Sequence, residues 1–156
     1  HPAGALQHLL GSFLRGTVHG AKHAPGQLKA CQLGQHIKLC RVHGDIPTAG
    51  YWTNVIKTAE LFPHSEILIF TKKYNIVNNY LSSGGKIPEN LHVIFSEWGK
   101  VPVPNPHNVP TAAVIFKGTE PAENWKICGG NCTECACAGV GCWELKKGQT
   151  IAFYQH

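Results

Sequence analysis

Methionine is missing altogether from the 156 residues, and charged side chains make up only 15% of them. The chain opens on His1, which reads as a processed, trimmed or fragmentary start. No apolar run comes near the roughly 20 residues that a membrane-crossing helix needs, which excludes a helical span. His1 to Leu14 lacks a basic region followed by a long apolar core, so no intact signal peptide is read there. Repeats and low-complexity tracts are absent as well. Dense basic clusters are also lacking. The net charge is +5, yet the closest groupings are the pairs Lys72-Lys73 and Lys146-Lys147. A nucleic-acid arm usually shows denser clusters with interleaved aromatics, so the charge reads first as a mildly basic solvated surface.

What remains is an ordinary globular balance, 43% hydrophobic, in a length that suits one domain over residues 1–156. Residues 1–36 are the least patterned. Leu6, Leu9, Leu10, Phe13 and Leu14 fall on helical spacing, and residues 16–36, rich in Gly and His, read as loop. From there strands and helices alternate. Ile37 to Val42 reads as a strand and Ala49 to Phe62 as a helix, with Thr48 as its N-cap and Pro63 as its stop. Glu66 to Phe70 is a short, almost wholly apolar strand of the kind found in parallel sheets covered on both faces. Tyr74 to Leu81 reads as a helix ended by Gly84-Gly85. Leu91 to Phe95, Ala112 to Phe116 and Thr150 to Tyr154 read as further strands, with a proline-rich loop through Pro102, Pro104, Pro106 and Pro110 between the first two. The alternation predicts an α/β fold of right-handed βα units, as a parallel sheet or partial barrel.

Cysteine is unevenly spent. Five of the seven cysteines, Cys128, Cys132, Cys135, Cys137 and Cys142, crowd into one C-terminal stretch, residues 128–143. A secreted disulfide framework spreads an even number along the chain, whereas a metal site crowds them, which points to a reducing, cytoplasmic compartment. Gly129, Gly130, Gly139 and Gly141 allow the sharp turns that would face several sulfurs toward one centre. Ala136, Ala138, Val140 and Trp143 would keep water from them. The expected ligands are Cys128, Cys132, Cys135 and Cys142, because in an extended loop Cys137 points away from Cys135. The cofactor is a [4Fe-4S] cluster or zinc. The C-x3-C-x2-C spacing of the first three matches the cluster motif of radical S-adenosylmethionine enzymes, though there it follows the first strand. Two separated C-x2-C knuckles, usual for structural zinc, are absent. Cys40 in its strand reads as a small buried hydrophobe.

Three stretches resemble a family of phage and mobile-element proteins, the gene product 88 family. They are Arg41-Val-His-Gly-Asp45 with Tyr51-Trp52; Phe70-Thr-Lys72 with Pro88-Glu-Asn-Leu91 and Phe95-Ser96; and Cys128-Gly-Gly-Asn-Cys132 through Gly141-Cys142-Trp143, closing on Phe153 and His156. The resemblance implies an α/β fold and a cysteine-ligated site, and gives no substrate. The family's N-terminal cysteine motif ending in Cys-Tyr-Ala is not in this sequence.

Two function classes follow. In the first, a redox or cluster-dependent enzyme, strand-end residues supply chemistry. His43 and Asp45 would form an acid–base pair, and Lys72 would hold an anionic group of a small molecule. In the second, zinc staples a binding module whose partner is nucleic acid, met through the basic surface and the aromatic residues Trp98 and Trp125.

Overall fold

The computed structural model describes residues 32–33 and 36–41 by their backbone, and residues 45–97, 99 and 101–155. The apolar N-terminal stretch from Leu6 to Leu14 lies outside the described residues, as do Cys31, His43 and Trp98.

Seven strands form one open sheet in the order β1-β2-β3-β4-β5-β7-β6. The strands are β1 (Gln32–Leu33), β2 (His36–Arg41), β3 (Ser65–Thr71), β4 (Leu91–Ser96), β5 (Thr111–Ile115), β6 (Lys126–Ile127) and β7 (Thr150–Tyr154). β1 runs antiparallel to β2, and every other pairing is parallel. The protein is therefore α/β, with an open sheet in place of a closed barrel. The two-residue strands β1 and β6 are additions that periodicity cannot signal, because two residues carry no period.

Helix α1 (Ala49–Leu61) connects β2 to β3, and α2 (Tyr74–Ser82) connects β3 to β4. Thr48 caps α1, its Oγ1 accepting from Tyr51 N at 3.1 Å. Trp52, Val55, Ile56 and Ala59 line one side of α1 at helical spacing. They pack with Val77 of α2 onto Ile67, Ile69, Val93 and Phe95 of the sheet. Each such side chain, fully buried, stabilises the fold by about 1.5–3 kcal/mol. The far end of α1 is tied to β3 by one amide: Asn90 Nδ2 donates to the carbonyls of Ala59, Phe62 and Ser65 at 3.0, 3.1 and 2.8 Å. The proline-rich connection between β4 and β5 is pinned to α2 through Asn78 Nδ2, which donates to Pro104 O at 2.7 Å.

Successive strands from β2 to β5 advance across the sheet in one direction, which puts α1 and α2 on the same face. The last step reverses. The chain passes over one position to form β6, then returns to fill the gap between β5 and β6 with β7. A right-handed crossover taken backwards lands on the opposite face. There the β6–β7 connection packs on a second core of Leu68, Ile94, Ala112 and Ile151. This connection is the cysteine-rich segment.

Candidate functional site

The segment begins pinned to the sheet, with Cys128 N donating to Ala152 O at 2.8 Å. Cys128 Sγ accepts from Gly130 N at 3.4 Å, closing a tight turn through Gly130, whose φ of 80° an L side chain rarely adopts. The sequence reading had an irregular loop here. A helix, α3 (Cys132–Ala138), forms instead, followed by a 3-10 turn, Gly141–Glu144. The cause is legible in retrospect. Asn131 Oδ1 accepts from Glu134 N at 3.2 Å, an N-cap followed three residues on by Glu, and Gly139 ends the helix in the left-handed region.

Helical geometry decides which thiols meet. Cys132 and Cys135 are three residues apart and share a side of α3. Cys137 lies about 200° around the axis from Cys135. It is disulfide-bonded, to a partner outside the described side chains. Cys128, Cys132, Cys135 and Cys142 are in no disulfide. Three of them, Cys128, Cys135 and Cys142, pack against the second core beside Ala136 and Trp143, and Cys132 is exposed. Burial pushes the Cys135 thiol above its ordinary pKa, and the fields of Cys128, Cys132 and Glu134 push it further. A Cβ added to Gly141 would stand 3.4 Å from Cys135 Sγ, so glycine lets the backbone leading into Cys142 approach that sulfur closely. Among the described residues, no group of three or more His, Cys, Asp or Glu side chains is placed so that it could hold a metal ion.

The strand-end residues lie around the carboxyl ends of β3 and β4. His43 is outside the described residues. Asp45 Oδ1 accepts from Ile46 N at 2.8 Å and from Thr71 Oγ1 at 2.5 Å. Its Oδ2 accepts from Lys72 N at 3.2 Å. Asp45 and Lys72 are therefore brought together through the Lys72 backbone amide. Next to it the Tyr74 hydroxyl donates to Ser96 O. Burial raises the Tyr74 pKa, and the Asp45 and Glu97 carboxylates add to the rise. Burial also raises Glu97, against a hydrogen bond from Thr111 that lowers it. Trp125 is half-buried.

Cys142 lies elsewhere. The adjacent Trp143, 6% exposed, meets the His92 ring edge-on at 5.5 Å, in the amino-terminal half of β4. His92 Nε2, itself buried, stands 3.3 Å from Glu66 Oε2 on the neighbouring strand, and both side chains are partly exposed. The sequence reading did not single out His92. Its signal was there: one polar residue interrupting the apolar run Leu91 to Phe95.

No curated protein and no solved structure matches the chain. The model of the family described as Gene product 88 matches residues 26–150, a span that covers the whole described sheet up to the start of β7 and the four cysteines outside any disulfide. The chain belongs to the gene product 88 family.

Proposed function

We propose that this protein holds a metal ion or a [4Fe-4S] cluster on Cys128, Cys132, Cys135 and Cys142. The observation that carries the reading is a sorting of the thiols. Cys128, Cys135 and Cys142 pack against the second core and Cys132 lies one helical turn before Cys135, all four outside any disulfide, while Cys137 is disulfide-bonded. Thiolates in an apolar setting, reached by backbone amides such as Gly130 N, suit a cluster. A reducing compartment such as the cytoplasm would favour the four thiolates, whereas the Cys137 disulfide is favoured by an oxidising one.

The test is anaerobic purification with iron, sulfide and zinc analysis and a visible spectrum. A broad band near ~400 nm with about four irons per chain is expected for the cluster, and one zinc without colour for a staple. Iron directs the search toward redox or cluster-dependent chemistry on a small molecule. Zinc directs it toward a binding partner such as nucleic acid. Cys128→Ser and Cys132→Ser should each lose the metal, and Cys137→Ser should retain it. Neither metal, with all four thiols reactive in the native protein, would remove the proposal.

A further inference from the structure

We infer that the groove at the amino-terminal end of β4 is a binding site for a small anion with an apolar body, a carboxylate, sulfonate or phosphate ester. The groove measures about 720 Å³, within the range of about 300–1,000 Å³ that small-molecule sites occupy. Its inner wall is apolar, formed by Leu91, Val93 and Ile94 of β4 with Val109 and Trp143. Lys86 and Lys147 both line it, and both are exposed.

Charge selects the ligand. Neither lysine has an acidic partner among the described residues. Of the two carboxylates along the groove, Glu144 is held by Lys126 at 2.9 Å, and that contact lowers its pKa. Glu89 is left to oppose two ammonium groups. His92 and His107 line the same groove. A neutral apolar molecule would leave the lysines unused. A small inorganic anion would leave the apolar wall wet. A molecule carrying both parts satisfies both. The site does not require a metal. Cys142 lines it, however, so a bound ligand would lie beside the thiol segment.

The test uses 1-anilinonaphthalene-8-sulfonate as the probe, titrated by fluorescence into the purified full chain. One saturable site is expected, weakening as salt rises. Lys86→Ala with Lys147→Ala should weaken it at least about tenfold, with unchanged circular dichroism because both side chains are exposed. Lys57→Ala, on the exposed side of α1, should leave it unchanged. The neutral analogue N-phenyl-1-naphthylamine should bind at least about tenfold more weakly than the sulfonate. Equal binding by the double variant, or equal binding of the neutral analogue, would overturn the inference. Both readouts are independent of metal content, so failure of the thiolate site leaves this test intact.

Discussion

Asp45 stood out in the sequence as a candidate acid–base residue, and its surroundings predict that its work is structural. Its carboxylate accepts from the backbone amides of Ile46 and Lys72 and from the Thr71 hydroxyl. Thr71 is 1% exposed and its Oγ1 in turn accepts from Lys73 N at 3.0 Å. The knot therefore fixes the exit of β3 and the entry to α2. Asp45→Ala would strand a buried hydroxyl at about 1–3 kcal/mol and remove charged-acceptor bonds to two amides that water can partly replace. The expected loss is about 2–4 kcal/mol. Asp45→Asn keeps an oxygen for Thr71 and should lose only about 1 kcal/mol. Urea unfolding at pH 7 measures both, through a shifted midpoint at constant slope. Losses within about 0.5 kcal/mol for both variants, the range of an ordinary surface change, would refute the structural role. The catalytic reading would then regain its ground.

Two further outcomes follow from buried polar contacts. Asn90→Ala leaves the carbonyls of Ala59, Phe62 and Ser65 without their shared donor and should destabilise the fold by about 2–3 kcal/mol in the same assay. Glu97 is a carboxyl whose pKa is raised in the fold, so its protonated form is the one the fold favours. It costs nothing below the ordinary carboxylate range, and the cost grows until pH passes the raised value. Glu97→Gln should thus be the more stable protein at pH 7, by at most about 1 kcal/mol given the group's exposure, with the gap closed near pH 4. Stability curves of the two proteins against pH check the sign.

Strands and helices were legible where burial imposes a period. Ile67 and Ile69 face one core and Leu68 the other, which is why β3 reads as an unbroken apolar run. Thr48 and Pro63 marked the ends of α1 to within a residue. The cysteine segment read less well, because glycines and thiols suggest a loop while the cap made by Asn131 and Glu134 specifies a helix. Among the described residues, the four expected ligands are the cysteines outside any disulfide. The placement of the segment was hidden. Which face it packs on depends on the order of β5, β7 and β6, and strand order is a long-range property that local pattern does not encode. His92 was missed for a related reason. A histidine inside an apolar strand gains meaning only when Glu66 and Trp143 arrive from other elements.

The late insertion of β7 bears on how the protein matures. On the ribosome, Cys128 through Cys142 emerge before the strand that anchors them. Until Thr150–Tyr154 slides between β5 and β6, the amide of Cys128 has no Ala152 carbonyl to bind, and Ile151 is not there to complete the second core. Cys128, Cys135 and Cys142 therefore pass through a nascent stage without the cover of the second core, which insertion of the strand completes, while Cys132 stays exposed. Expression under oxygen or metal starvation should show its effect in newly made chains, and much less in protein already folded.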